Sequence, residues 1–197
     1  MIEIRMHGRG GQGAVIAAKI LASAFFKEGK YAQSFPSFGV ERRGAPVLAF
    51  TRVDDKPVRL RSAIYEPDHL IILDATLIKS TNVFSGLKKG GTILVNTTSP
   101  ITLFNFPDEY SAAVVDAGGI AAKHNIGTKS IPIVNTSILG AFAKFTGIVG
   151  IEAIVEAIHE GVPIMRDKNA EAAMEAYESL ETPVKVSVDL MKDLPGR

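Results

Sequence analysis

A glycine-rich stretch between an apolar strand and a helix places the strongest constraint on the fold of this chain. Within residues 6–22, Gly8, Gly10 and Gly13 have the G-x-G-x-x-G spacing. Glycines at this spacing allow a tight turn and a close approach of the backbone to a diphosphate, and the helix that follows offers unpaired N–H groups. The same glycines also let a helix pack closely on a sheet. The motif therefore has two interpretations, a phosphate-binding loop or a packing loop.

Composition predicts a single globular domain. The chain has 197 residues, of which 46% are hydrophobic, enough to fill one core of the α/β class. It carries 22 basic and 21 acidic residues, so no overall field favours nucleic acid or an anionic membrane as a partner. The first residues enter a strand directly, and no uncharged run approaches the length of a membrane span. We therefore expect a cytoplasmic location.

The absence of cysteine excludes several kinds of chemistry. With no cysteine, the chain has no disulfides, no thiol nucleophile and no thiolate ligand for an iron–sulfur cluster. Its four histidines are far apart in the sequence, without the spacing of a zinc site. We expect no metal site, and any redox centre must belong to another chain.

Alternating strand and helix patterns predict a three-layer α/β sandwich with a mostly parallel, Rossmann-like sheet. The first strand, at residues 2–7, is followed by a buried helix at 14–27. Further strands are predicted at residues 70–74, 92–96, 112–116 and 131–134. The last of these precedes a helix that Asn135 or Thr136 can cap.

An insertion at about 31–61 interrupts this alternation. Residues 31–44 contain many turn formers and predict an ordered loop. Strands at 45–52 and 58–61, joined by a turn at 54–57, predict a hairpin that serves as an arm toward a partner or ligand. At the other end of the chain, residues 183–197 are predicted to form an extended tail.

The usual acidic partner of a dinucleotide is missing. A nicotinamide-binding Rossmann protein needs a second strand that ends in an acid about 20 residues beyond the glycines, where it holds the ribose hydroxyls. Glu28 lies near that distance but is followed by Gly29 rather than preceded by a strand. This departure argues against a dehydrogenase.

Two neighbouring arginines in the insertion are candidate anion ligands. Arg42 and Arg43 lie between Gly39 and Gly44, and guanidinium groups bind phosphates and carboxylates well. The alternative is a solvated charge run paired with Glu41. Aromatic residues nearby favour an interface or ligand loop, because aromatics and arginine are enriched where surfaces become buried.

Two acids close predicted parallel strands, but no catalytic set is apparent. Asp74 and Asp116 can act in the crevice at the carboxyl edge of the sheet or cap the next helix. The sequence contains no recognisable Ser-His-Asp arrangement or nucleophile elbow. We therefore assign no catalytic residue.

Several of these stretches together are typical of one family. They are Gly8-Arg-Gly-Gly-Gln-Gly13, Tyr31-Ala-Gln-Ser-Phe-Pro-Ser-Phe-Gly-Val-Glu-Arg-Arg-Gly-Ala-Pro46, Pro57-Val-Arg-Leu-Arg61 and Asn135-Thr-Ser-Ile-Leu-Gly-Ala-Phe-Ala-Lys144. In combination they resemble the gamma subunit of pyruvate:ferredoxin oxidoreductase (pyruvate synthase), within the 2-oxoacid:acceptor oxidoreductase family. The similarity spans most of the chain.

The resemblance implies a subunit of a larger enzyme. Such enzymes convert a 2-oxoacid and coenzyme A to an acyl-CoA and carbon dioxide and pass the electrons to ferredoxin. Thiamine diphosphate and the iron–sulfur clusters belong to partner subunits, here the alpha, beta and delta (ferredoxin-like) chains. The gamma chain supports assembly and helps form the coenzyme A site, and the residues that match its glycine motif are Gly8, Gly10, Gly11, Gln12 and Gly13. We expect Arg42 and Arg43 to assist them.

Three alternatives remain open at this point. The segment 41–46 looks closer to the pyruvate or branched-chain oxoacid type than to the 2-oxoglutarate type, but other subunits select the substrate. A purely structural subunit would show the same sequence pattern. A stand-alone dinucleotide-binding oxidoreductase is the third possibility, and the missing acid argues against it.

Overall fold

The computed structural model describes residues 1–37, 44–60, 62–128 and 131–180. Within these ranges, the strands of the main sheet are β1 (Ile2–Arg9), β2 (Tyr31–Pro36), β3 (Pro46–Asp54), β4 (His69–Ile72), β5 (Thr92–Asn96) and β6 (Ser111–Val115). A separate pair consists of β7 (Gly127–Thr128) and β8 (Ile131–Pro132). The helices are α1 (Ala14–Lys27), α2 (Leu77–Ser80), α3 (Ala117–Lys123), α4 (Ser137–Thr146), α5 (Ile151–Gly161) and α6 (Arg166–Ser179), with a short 3₁₀ helix at Ile101–Leu103.

The main sheet is mixed, with a parallel half and an antiparallel half. Its strand order is β2-β3-β1-β4-β5-β6. The strands β1, β4, β5 and β6 are parallel to one another, whereas β2 and β3 form an antiparallel ladder beside β1. Each parallel step needs a crossover, and the intervening helices and loops provide it. The predicted α/β fold with a Rossmann-like sheet is confirmed.

Side chains of alternate residues in the parallel strands fill cores on opposite faces of the sheet. On one face, Ile4, Met6 and Ile71 pack in a large core with α1, α3, α4, α5 and α6. On the other face, Leu70 and Ile72 form a smaller core with α2 and the connecting segments around it. Burial on both faces explains why β4, β5 and β6 are almost continuously apolar in sequence.

The structure corrects two predictions for the insertion. The segment 31–36 is strand β2 rather than loop, and it pairs with β3 in register, with the rings of Phe35 and Phe50 5.2 Å apart. The predicted strand at 58–61 is wrong for residues 58–60, which lie outside regular structure; residue 61 is outside the described ranges. The reason is topological: β1 and β2 already flank β3, so β3 has no free edge for a further strand.

The predicted strand at 131–134 is confirmed only at residues 131–132, as β8, which lies outside the main sheet. Residues 131–132 pair instead with Gly127 and Thr128. Pro132 has no N–H to donate, which disfavours a central place in a ladder. β6 therefore remains the edge strand, and the predicted tail at 183–197 lies outside the described residues.

None of the helices in the described part of the chain has both the length and the apolar character needed to cross a bilayer.

Candidate functional site

The glycine loop lies where β1 ends and α1 begins, beside the carboxyl end of β4. Gly8 belongs to β1, and a Cβ added to it would lie 3.3 Å from Cβ of Ala14 and 3.4 Å from Oε1 of Gln12. A side chain here would be tightly packed against the start of the helix, so glycine favours close contact between strand and helix. For Gly8, the packing interpretation of the motif therefore has direct structural support.

The middle of the loop uses backbone conformations that favour glycine. Gly11 has φ +99° and Gly13 has φ +82°. Gly10 pairs with the middle of the insertion, since its N–H donates to the carbonyl of Ala45 (2.9 Å) and its carbonyl accepts from the N–H of Gly44 (3.0 Å). The loop and the arm are thus joined through their backbones.

Gln12 braces the loop from within. Its Oε1 accepts a hydrogen bond from the backbone N–H of Arg9 at 2.7 Å, and its Nε2 donates to Oδ2 of Asp74 at 3.3 Å. The N–H of Gln12 donates to the carbonyl of Arg9 at 3.0 Å. The structure therefore places the Gln12 amide against protein groups, so its polar atoms hold the loop in shape.

Arg9, which sequence analysis did not select, links three segments. Its Nε donates to Oδ2 of Asp74 (3.0 Å), its Nη1 to the carbonyl of Gly44 (3.1 Å) and its Nη2 to Oγ1 of Thr76 (2.9 Å). Burial by itself raises the pKa of Asp74, but hydrogen bonds from Thr76 and the charge of Arg9 outweigh it and hold that pKa below its usual value. The Arg9 charge is thus largely committed to Asp74.

Within the described residues, the first N–H groups of α1 lack acceptors. The first intrahelical bond runs from the N–H of Ala17 to the carbonyl of Gly13, so the N–H groups of Ala14, Val15 and Ile16 have no intrahelical acceptor. No side chain caps this helix, and its first turn contains no acidic residue. Gly11, next to this helix start, is exposed. These donors and the positive end of the helix dipole form an accessible environment suited to an anion.

Asn135 lies directly against the loop, although 122 residues separate it from Gly13. A Cβ on Gly13 would lie 2.7 Å from Nδ2 and 3.0 Å from Cγ of Asn135. The residue is only 5% exposed, and its Oδ1 is buried without a hydrogen-bond partner. Sequence analysis considered Asn135 as a helix cap, but no side-chain cap bond forms at the start of α4.

The other predicted acid has a structural role, and the two arginines are not placed. Asp116 accepts a hydrogen bond from the N–H of Gly119 at 2.7 Å and thereby caps α3. Arg42 and Arg43 lie outside the described residues. Among the predicted site residues, the structure therefore brings together Gly8, Gly10, Gly11, Gln12 and Gly13, and it adds Arg9, Asp74 and Asn135.

Arg5 and His7 of β1, just before the glycine loop, form a buried polar pair. Nε of Arg5 donates to Nε2 of His7 at 3.1 Å, and both residues are buried. Burial, assisted by the Arg5 charge, lowers the pKa of His7 to about 3, so its imidazole is neutral at physiological pH. Within the described ranges, no group of three or more histidine, aspartate or glutamate side chains has the arrangement of a metal site.

Comparison with known proteins gives concordant matches. A family model described as pyruvate ferredoxin/flavodoxin oxidoreductase matches residues 3–179. The chain is 53% identical over 182 residues to pyruvate synthase subunit PorC of Methanothermobacter marburgensis, covering 92% of this chain and 98% of that protein. It is 55% identical over 183 residues to the common gamma subunit of the pyruvate and ketoisovalerate oxidoreductases of Thermococcus kodakarensis, covering 90% and 96% of the two chains.

A solved structure supports the same grouping. Pyruvate oxidoreductase subunit PORC of Thermotoga maritima superimposes with a TM-score of 0.77 at 37% identity, covering 91% of this chain and 97% of that one. Sequence and fold thus point to the same family over nearly the whole length.

Proposed function

Because this chain belongs to the pyruvate ferredoxin/flavodoxin oxidoreductase family and is a gamma subunit of a 2-oxoacid:ferredoxin oxidoreductase, we propose that its enzyme oxidises pyruvate and that its glycine loop holds the diphosphate of coenzyme A. The reaction joins the acyl group of pyruvate to the thiol of coenzyme A, releases carbon dioxide and passes the electrons to ferredoxin. A single-domain organisation and a cytoplasmic location belong to the same proposal.

The names of the relatives support pyruvate as the substrate. The Methanothermobacter relative is a pyruvate synthase subunit, and the Thermococcus relative is shared between pyruvate and ketoisovalerate oxidoreductases. One gamma subunit can therefore serve two oxoacids in a relative. We infer that partner subunits select the oxoacid here too, and a branched-chain 2-oxoacid is the second candidate substrate.

The redox chemistry is assigned to partner chains. With no cysteine, this chain supplies no thiolate to an iron–sulfur cluster. We propose that the alpha, beta and delta subunits carry thiamine diphosphate and the clusters, and that the gamma chain is inactive alone. Its contribution is to assemble the enzyme and to position coenzyme A.

The unsatisfied donors at the start of α1 carry the coenzyme A proposal. The N–H groups of Gly10 and Gln12 are engaged by protein carbonyls, which leaves Gly11 and the first turn of α1 to receive phosphate oxygens. The first turn of α1 contains no acidic side chain to balance the positive end of the helix dipole. The negative charge of a diphosphate would balance it. Arg42 and Arg43 remain the proposed second contact.

Holding coenzyme A in this way assists the reaction without touching the reacting atoms. A thiol prepositioned near the acyl intermediate loses less translational and rotational freedom at the moment of attack. The conformation of the loop that binds the ligand is then maintained by the contacts of Gly8, Gly10, Gln12 and Arg9.

A purely structural subunit is the competing function. The bonds of Gly10 to Ala45 and of Gln12 to Asp74 favour it, because they show motif residues serving the fold. The two functions differ in one respect. A structural subunit has no effect on the affinity for coenzyme A once the complex is assembled.

Assembly and reaction are tested by purifying the tagged chain from its host. Partner chains, iron–sulfur absorbance and ferredoxin reduction that depends on both pyruvate and coenzyme A should appear together. A chain that purifies alone and binds a dinucleotide tightly would contradict the proposal.

The loop is tested with Gly11→Ala, using Gly29→Ala as a matched control. Both glycines have positive φ (+99° and +79°), and a Cβ on either has no atom of the described residues within 4 Å, so the two changes impose a similar kind of backbone strain. Gly29 follows the opposite end of α1. We expect Gly11→Ala to weaken coenzyme A binding by the assembled enzyme and Gly29→Ala to leave it unchanged. Equal effects of the two variants would favour the purely structural function.

A further inference from the structure

Two helix N-termini converge on Asn135. The residue touches Gly13 at the start of α1, and α4 begins two residues after it at Ser137. Neither helix has a side-chain cap or an acidic residue in its first turn. The positive ends of two helix dipoles therefore lie close together, with no described acidic side chain in either first turn to offset them.

The side chain between these helix ends is itself incompletely bonded. Asn135 is 95% buried, given its 5% exposure, and its Oδ1 has no donor. Buried polar groups nearly always have a partner, and leaving one without is costly. The neighbouring hydroxyls do have partners, since that of Thr136 donates to Asn169 and that of Ser137 to the carbonyls of Ala117 and Val134. The side chain that carries this unpaired acceptor lies against the glycine loop, with Nδ2 2.7 Å from the position of a Cβ on Gly13.

We propose that Asn135 is a ligand-binding residue whose Oδ1 accepts a hydrogen bond from a hydroxyl group adjacent to the ligand's diphosphate. The proposal rests on the proposed function, because it takes the diphosphate to be held at Gly11 and the first turn of α1. The helix ends supply donors and Asn135 supplies an acceptor. The complementary ligand therefore combines an anion with a neighbouring hydroxyl.

Coenzyme A carries such a hydroxyl on both sides of its diphosphate. One belongs to the pantoate unit of the pantetheine arm and the other to the ribose. In the proposed complex, rotation about the terminal torsion of Asn135, which has a broad energy profile, presents Oδ1 to that hydroxyl. Either hydroxyl could donate the proposed hydrogen bond to Asn135. Ligands that carry only the pantoate hydroxyl or only the ribose distinguish between them.

The test uses Asn135→Leu, with Gln33→Met as a matched control. Leucine and methionine approximate the shapes of the amides they replace and remove the unpaired oxygen. Gln33 is the other described residue with a buried side-chain oxygen that has no hydrogen-bond partner. It lies in β2 opposite Arg52 of β3. Arg52 is in turn opposite Glu3, at the end of β1 that is distant from the glycine loop. Both variants therefore delete the same kind of group in different places.

Dissociation constants for coenzyme A, pantetheine and ADP are measured on the anaerobic, assembled enzyme. Loss of one neutral hydrogen bond corresponds to about threefold to tenfold weaker binding. We expect that loss for coenzyme A in Asn135→Leu and none in Gln33→Met. Weaker binding of pantetheine with ADP unchanged assigns the pantoate hydroxyl, whereas weaker binding of ADP with pantetheine unchanged assigns the ribose.

Unchanged coenzyme A binding in Asn135→Leu would overturn the proposal, and so would an equal loss in Gln33→Met. Comparison with Gly11→Ala separates this failure from failure of the proposed function. If Gly11→Ala weakens binding and Asn135→Leu does not, the inference about Asn135 alone fails. If neither variant weakens binding, the coenzyme A site itself is elsewhere.

Discussion

Arg9 at the end of β1 and Asp74 just after β4 are joined by a hydrogen-bonded ion pair, with Nε and Oδ2 3.0 Å apart. The same Oδ2 accepts from Gln12, and the other oxygen, Oδ1, accepts from the backbone and hydroxyl of Thr76. One carboxylate therefore connects the glycine loop to the β4–α2 turn. The shape of the loop depends on a residue 61 positions beyond Gly13 in the sequence.

Asp74→Asn should destabilise the chain in a pH-dependent manner. The pKa of Asp74 is lowered in the folded state, so its contribution to stability is complete above the unfolded pKa of about 3.9 and is lost as pH falls through the folded pKa. At pH 7 we expect the free energy of unfolding of Asp74→Asn to be about 1–3 kcal/mol lower than that of the native chain, the usual cost of disrupting a charged, hydrogen-bonded group. Denaturant titrations at pH 7 and pH 3 should show that the difference in unfolding free energy between the native chain and Asp74→Asn is smaller at pH 3. An equal difference at both pH values would contradict a stabilising role for the ionised Asp74 carboxylate.

The glycine motif could be recognised from the sequence because its requirements are local. Positive φ at Gly11 and Gly13 and close packing at Gly8 arise within six residues of chain. The strand–helix alternation was equally predictable, since buried parallel strands are continuously apolar. These features required no knowledge of distant contacts.

The rest of the site depends on contacts that sequence spacing does not encode. Asn135 meets Gly13 only because α4 begins on the same face of the sheet as α1, beside the glycine loop. The pairing of β2 with β3 was missed because turn-forming residues in 31–44 suggested a loop, and strand pairing overrode that local preference. A polar residue immediately before a buried helix was the available indication for Asn135, and it has an ordinary explanation as a cap.

His7 should make the chain sensitive to mild acid. Burial and the Arg5 charge lower its pKa to about 3, so below pH 6.5 the unfolded state binds a proton that the folded state excludes. Stability is therefore complete above pH 6.5 and falls toward pH 3. Between pH 7 and 5.5 we expect a loss of about 1 kcal/mol attributable to this group.

The measurement compares the native chain with His7→Gln across that pH range. Glutamine retains an acceptor for Nε of Arg5, which now donates to His7 at 3.1 Å, but does not titrate. As pH falls from 7 to 5.5, the unfolding free energy of the native chain should decrease by about 1 kcal/mol relative to that of His7→Gln. Parallel curves would show that His7 is not the group that titrates.

Glu28, which lies near the position of a ribose-binding acid, should contribute to folding rather than to ligand binding. Its Oε1 accepts a hydrogen bond from the N–H of Gly150 at 2.7 Å, just before α5 begins. Glu28→Ala should lower the free energy of unfolding by about 0.5–1.5 kcal/mol, the range for loss of one hydrogen bond. Glu28→Gln, which keeps an acceptor oxygen, should cost less. Calorimetric binding of coenzyme A by the assembled enzyme should be the same in both variants, and a change there would assign Glu28 to the site.

Gly140 should be among the positions least tolerant of a methyl group. It lies in α4, where a Cβ would collide with the backbone carbonyl of Ala173 in α6. Ala170, Ala173 and Ala176 of α6 are buried and allow the two helices to approach closely, so a backbone shift is needed to admit any side chain. We expect Gly140→Ala to cost about 1–3 kcal/mol despite the better helix propensity of alanine. Gly147→Ala, just after the same helix with φ +64° and no atom within 4 Å of an added Cβ, separates backbone strain from collision. Thermal unfolding should rank Gly140→Ala as the less stable variant, and the reverse order would mean that α4 and α6 separate easily.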